Sequence, residues 1–195
     1  MNVLPTDLPG VLIIEPKIFG DSRGFFFEIW NEERYRQAGI PPLTAQDNIS
    51  RSAGGVLRGL HFQYPEPQGK LVYVLQGEVF DVAVDIRRGS PTFGRWVGCD
   101  LSGENYRQFY VPEGFAHGFC VLSEWALFAY KCTRSYKPAF ETAIAWDDPQ
   151  IDIQWPIRDP MLSTKDRAAP RLADIPQDRL PPYEAGSALG QASSS

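Results

Sequence analysis

A strict two-residue alternation across residues 78–86 limits the folds open to this chain. Phe80, Val82, Val84 and Ile86 fall on one side, and Val79, Asp81, Ala83 and Asp85 on the other. That period puts successive side chains on opposite faces of a strand, and the carboxylates mark one face as wet or functional. Gln76-Gly77 just before it reads as a turn that uses the positive φ glycine tolerates, joining residues 70–75 to the strand as an antiparallel hairpin.

Other short strand patterns occupy residues 11–14, 24–30, 56–63, 95–101, 108–111, 118–122 and 126–133, separated by Gly, Pro, Asp or Ser clusters. Glycine and proline, 17 of each, are spread along the chain as punctuation rather than gathered into a linker. The expectation is a mainly β protein, a sandwich or barrel with few helices. One helix is expected over 31–38, with Asn31 as N-cap and Gly39 as its stop, and a second over 163–169. With 195 residues, 43% of them hydrophobic, residues 1–183 suffice for one domain with its own core. From about residue 156 the sequence turns Pro- and charge-rich, as expected of an arm laid over the β core. Residues 184–195 are small and polar and read as a disordered tail.

Nineteen Lys and Arg stand against 24 Asp and Glu, a net charge of -5. Nonspecific adhesion to nucleic acid or to an anionic membrane is therefore not expected, and an anionic ligand needs a local basic cluster. No apolar run reaches the roughly 18 residues a spanning helix needs. The N-terminus lacks a basic-apolar-small signal pattern, so a cytoplasmic location is expected. Three cysteines, Cys99, Cys120 and Cys132, show no C-x-x-C spacing and are expected as reduced thiols.

Only two histidines exist, His61 and His117, the natural place to look for proton transfer near neutral pH. A single His in an apolar strand is as readily a satisfied core residue, but His61 has company in Arg58, Lys70, Arg51 and Gln46-Asp47-Asn48. Cations beside apolar strands are costly to bury without an anionic partner, and a phosphate-bearing ligand is one. Strict alternation sends Arg58 and His61 to opposite faces, so a shared pocket requires a β-bulge at Gly59. Tyr130 reads by default as a core tyrosine; facing His61 across a cavity, it would supply a phenolic acid opposite an imidazole base. Asp166 alone reads as a cap or surface carboxylate; beside an imidazole it would fix the tautomer.

Several motifs in order resemble the dTDP-4-dehydrorhamnose 3,5-epimerase family. They are Asp21-Ser22-Arg23-Gly24-Phe25-Phe26, Gln46-Asp47-Asn48, Arg58-Gly59-Leu60-His61-Phe62-Gln63, Gly77-Glu78-Val79-Phe80-Asp81, Ser90-Pro91-Thr92-Phe93-Gly94, Pro112-Glu113-Gly114-Phe115-Ala116-His117-Gly118-Phe119 and Trp146-Asp147-Asp148-Pro149. The resemblance implies a cupin-like jelly roll (double-stranded β-helix) that acts as a homodimer, with N-terminal strands pairing across the interface. It also implies a dTDP-sugar substrate and no metal or redox cofactor. On matching positions, His61 takes the role of general base with Asp166 as its carboxylate, Tyr130 that of the opposing acid, and Lys70 that of the cation beside the C4 carbonyl oxygen. Arg23, Glu28, Gln46, Asp47, Asn48, Arg58, His117, Glu141 and Lys165 match substrate-binding positions, and Tyr136 an aromatic that stacks on thymine. Within the same fold, a metal-dependent cupin is disfavoured by having two histidines and no H-x-H. A silent binding module gives no reason for a base and an acid together. Epimerisation at C3 alone or C5 alone is left open by these motifs.

Overall fold

The computed structural model describes residues 1–184; apart from Glu184, the tail expected over 184–195 lies outside the described residues. The strands are Asn2–Pro5 (β1), Leu12–Glu15 (β2), Phe19–Asp21 (β3), Gly24–Phe26 (β4), Gln46–Ala53 (β5), Leu57–Gln63 (β6), Lys70–Gln76 (β7), Glu78–Asp85 (β8), Trp96–Ser102 (β9), Gln108–Val111 (β10), Phe115–Val121 (β11), Trp125–Cys132 (β12) and Glu141–Ala143 (β13). Helices occupy Glu32–Gln37 (α1) and Thr164–Arg167 (α2). A six-stranded sheet in the order β1-β2-β10-β7-β12-β5 faces a five-stranded sheet in the order β13-β6-β11-β8-β9, and the pairings are antiparallel. This is a cupin-like jelly roll, with β3 and β4 as a separate hairpin.

Alternation decides what lies between the sheets. Val72 and Val74 of β7, Phe109 of β10 and Phe128 of β12 meet Val79 and Ala83 of β8, Leu101 of β9 and Phe119 of β11. Phe119 and Phe128 stack with centroids 4.1 Å apart. On the other side of β8, Val82 and Val84 are covered by Ile151, Leu172, Ile175 and Leu180 from the C-terminal segments. Both faces of β8 are therefore buried, and the expected wet face is not wet: Asp81 and Asp85 are 0% exposed. Each carboxylate is instead satisfied internally. Asp85 accepts from Arg87, Ser90 and Thr92, and Asp81 from His117.

On the outer face of the six-stranded sheet, Tyr35, Ile40 and Leu43 close over Leu12, Ile14, Leu71 and Tyr110. The helix that brings Tyr35 there begins at Asn31, whose side chain accepts from Arg34 N, and Gly39 after it has φ +82°. In the 24–30 region the strand ends at Phe26, since β3 offers only a three-residue partner. β11 starts at Phe115 rather than at 118, so His117 lies within a strand and not behind a turn. β5 escapes hydrophobic patterning altogether. Its sequence, Gln46 to Ala53, is polar because its inward side chains serve a cavity rather than a core.

Candidate active site

Against β11, His117 stands opposite His61, and Phe119 opposite Arg58. Over that step β6 uses one residue more than β11, which is the bulge expected at Gly59, and it turns Arg58 and His61 to the same side. Only glycine fits there: φ at Gly59 is +130°, and a Cβ would stand 2.6 Å from the Gly118 Cα.

His61 opens into a cavity of about 220 Å³ between the sheets. The five-stranded sheet contributes His61, Gln63 and Glu141; the six-stranded sheet contributes Gln46, Asn48, Lys70, Tyr130 and Cys132; Gln68 and Tyr136 come from the loops. The imidazole and the phenol thus belong to facing sheets and share one chamber.

His61 Nε2 lies 2.6 Å from Asp166 Oδ1. A carboxylate can only accept, so Nε2 donates and the ring lone pair sits on Nδ1. Asp166 is fixed in turn by its helix start: Ser163 caps α2, its hydroxyl accepting from Asp166 N and donating to Asp166 Oδ2 at 2.8 Å. Burial pushes the Asp166 carboxyl up, but the bonds from His61 and Ser163 outweigh it and hold the group below the usual carboxylate range. A depressed folded-state pKa stabilises the fold above the unfolded-state value, and the contribution disappears as pH falls through the folded one. Asp166→Asn is therefore expected to lose less Tm than wild type on acidification from pH 6 to pH 3. Parallel thermal melts check this, and equal losses would refute it.

Across the chamber, Lys70 Nζ lies 6.0 Å from the Tyr130 ring centroid. Burial lowers the Lys70 pKa. Burial likewise raises that of Tyr130, with Cys132 adding to it, so the phenol is protonated and able to donate. Tyr136 N–H donates to Gln46 Oε1 at 2.7 Å, and its hydroxyl donates to Glu141, which also accepts from Lys165. Together these tie the loop holding Tyr136 to β5, β13 and α2 at the cavity mouth.

Not every residue named from sequence arrives at the cavity. Asp47 points out of it, because alternation along β5 that turns Gln46 and Asn48 inward turns Asp47 to the outer face, where it accepts from Lys131 at 2.7 Å. Arg51 shares that outer face and stacks over Trp125, 4.5 Å from the ring. Arg58 is exposed, its Nε donates to Ser52 at 3.0 Å, and it does not line the cavity. His117 sits behind the cavity wall on Asp81. Arg23 pairs with Asp21 on the exposed β3–β4 hairpin, and Glu28 pairs with Arg34, both away from this chamber. Residues the motif reading gave no role, Cys132, Gln63 and Gln68, line it. Their only signal was position on or beside the strands that carry His61, Lys70 and Tyr130.

Fold and site together define a cupin-like barrel with an imidazole, a phenol and a lysine around one interior chamber. A family model described as dTDP-4-dehydrorhamnose 3,5-epimerase matches residues 5–174. The dTDP-4-dehydrorhamnose 3,5-epimerase of Pseudomonas aeruginosa is 57% identical over 169 residues, 86% of this chain and 93% of that protein. A crystal structure of the dTDP-6-deoxy-D-glucose-3,5-epimerase of Legionella pneumophila Philadelphia 1, in complex with dTDP-4-keto-L-rhamnose, superposes with TM-score 0.92 at 57% identity, covering 94% of this chain and 99% of that one. A 3'-monoepimerase from Streptomyces bikiniensis in complex with dTDP-quinovose superposes with TM-score 0.86 at 38% identity, covering 92% of each chain. The chain belongs to the dTDP-4-dehydrorhamnose 3,5-epimerase family, and it is an isomerase acting on a dTDP-linked sugar. Among the described residues, no helix is long and apolar enough to cross a membrane.

Proposed function

We propose that this protein epimerises C3 and C5 of dTDP-4-dehydro-6-deoxy-D-glucose, giving dTDP-4-dehydro-L-rhamnose for dTDP-L-rhamnose synthesis. The observation that carries the reading is the shared chamber, with the His61–Asp166 pair on one wall and Lys70 and Tyr130 on the other. Both carbons are α to the C4 ketone. His61 Nδ1 takes the proton, the electron pair moves onto the carbonyl oxygen as an enolate, and Lys70 stabilises that oxyanion as it forms. Tyr130 returns a proton to carbon from the opposite face, inverting the centre, and Asp166 stabilises the imidazolium meanwhile.

Gln46, Asn48, Glu141 and Lys165 bind nucleotide, diphosphate and sugar in this reading, with exposed Arg58 beside them, and Tyr136 at the mouth stacks on thymine; His117, buried on Asp81, supports the wall behind His61. Arg23 and Glu28 take part through a homodimer. The β3–β4 hairpin exposes Phe19, Phe25 and Phe26 at 54, 58 and 71%, apolar surface better suited to a second copy than to water. Residues 1–183 work as one unit, since the carboxylate behind the base comes from the C-terminal arm.

Incubation of the 4-keto-6-deoxy nucleotide sugar with the protein in D₂O tests the reading: deuterium is expected at both C3 and C5. Label at C3 alone would point to the single-site chemistry named for the Streptomyces bikiniensis relative, and no label would defeat the proposal. Tyr130→Phe is expected to leave wash-in largely intact while impairing inversion at one centre by roughly 10²-fold or more, because exchange needs only the base whereas inversion needs a donor on the far face. Equal loss of exchange and inversion would move Tyr130 out of the acid role.

A further inference from the structure

Between the end of β12 and one turn of 3-10 helix at Pro138–Phe140, residues 134–137 lie outside the sheets, so their peptide groups have no strand ladder to satisfy them. Three glutamines take them up instead. Gln68 Nε2 donates to the Arg134 carbonyl oxygen at 2.7 Å and Gln63 Nε2 to that of Ser135 at 3.5 Å, while Gln46 Oε1 accepts from Tyr136 N and Gln63 Oε1 from Lys137 N, each at 2.7 Å. Gln63 thus grips the loop on both sides of Tyr136. The same Nε2 donates to the Glu66 carbonyl oxygen at 2.6 Å, and Lys137 Nζ reaches back to Glu66 Oε1 at 2.6 Å, so the loops that follow β6 and β12 are bound to each other.

A carboxamide can accept from one peptide group and donate to others at once, whereas a carboxylate only accepts. Gln63 is 3% exposed, so water would not replace bonds lost there. Tyr136 is 45% exposed, so packing holds it little and its anchored backbone decides where the ring stands. Gln63 is also the last residue of β6, two positions beyond His61, and both line the chamber. It joins the mouth of the site to the strand that carries the base.

We infer that Gln63 is a positioning residue: its carboxamide clamps residues 134–137 to β6 and holds Tyr136 at the mouth, at a fixed offset from His61, before a nucleotide arrives. The inference rests on the reading of Tyr136 as the ring that stacks on thymine. A loop that has to be ordered during binding subtracts that cost from affinity, and the clamp removes it.

¹⁹F NMR of the ligand-free protein labelled with 3-fluorotyrosine reads the loop directly, with Tyr136→Phe assigning the Tyr136 signal. In Gln63→Met, similar in length but without hydrogen-bonding groups, that signal is expected to move toward free fluorotyrosine while the Tyr130 signal stays in place. The calorimetric Kd for dTDP is expected to rise about tenfold. KM should rise with it, with kcat kept within about threefold of wild type. The loss must run through the ring, so in a Tyr136→Ala background Gln63→Met should change dTDP affinity by less than about twofold. Gln63→Glu, which keeps the acceptor for Lys137 N and loses both donations, carries the same measurements if Gln63→Met does not fold. An unmoved Tyr136 signal, or an equal loss of affinity with and without the Tyr136 ring, overturns the inference. Neither readout needs turnover: unchanged dTDP affinity in Tyr136→Ala alone would defeat the thymine reading, and a wild-type protein that puts no deuterium into substrate would defeat the epimerase reading, each separately.

Discussion

Replacing His61 by Asn is expected to abolish deuterium entry at both C3 and C5 and to lower turnover by about 10³-fold or more, within or beyond the range a positioned general base contributes. The asparagine amide stops short of the Nε2 position, so the bond to Asp166 is lost with the imidazole, and the melt must show that the C-terminal arm stays docked. What disappears is the lone pair that His61 Nδ1 presents to the chamber. Both stereocentres flank the same ketone and share one base in this mechanism, so exchange at the two should vanish together. NMR of the sugar after incubation in D₂O measures it, alongside a thermal melt to show the variant folded. Retention of exchange at either carbon would put a second base in the chamber and end the single-base scheme.

Gly59→Ala is expected to destabilise the fold by roughly 2–6 kcal/mol, combining about 1–3 for a non-glycine residue at φ +130° with about 1–3 for overpacking. The new Cβ would meet the Gly118 Cα at 2.6 Å and the His117 carbonyl oxygen at 2.9 Å, backbone atoms of a central strand that cannot rotate aside. For a chain of this size such a loss lowers Tm by on the order of 10 °C. Gly89 and Gly94 also have positive φ, +85° and +77°, but a Cβ there meets nothing within 4 Å. Alanine at either should cost only the conformational part, about 1 kcal/mol. Equal Tm losses at the three positions would show that the close approach of β6 and β11 contributes nothing.

Where side chains alternate against a hydrocarbon core, the fold is readable from the chain. The 78–86 strand, the turn at Gln76-Gly77, the Asn31 cap and the Ser163 helix start all appear in the structure, each specified by local chemistry. The bulge at Gly59 was legible as well, since Arg58 and His61 could share a face only if the alternation broke between them. β5 was not. A strand that presents Gln46, Asn48, Ser50 and Ser52 inward has no apolar period, and only the neighbouring β12 and the cavity explain it. The same blindness affects Asp81, whose carboxylate looks like a solvent-facing group until the opposite sheet closes over it. Arg51 and Lys70 show the limit of grouping charges by sequence distance. One stacks outside on Trp125 and the other reaches into the chamber from β7.

Asp166 reaches His61 from 105 positions downstream, by way of a short helix that follows the last strand. A nascent polypeptide therefore carries His61, Lys70 and Tyr130 long before it carries the group that orients its imidazole. Competence arrives when the arm docks, and a protease that clipped ahead of Ser163 would remove both the carboxylate that orients the imidazole and Leu172, Ile175 and Leu180, which cover β8.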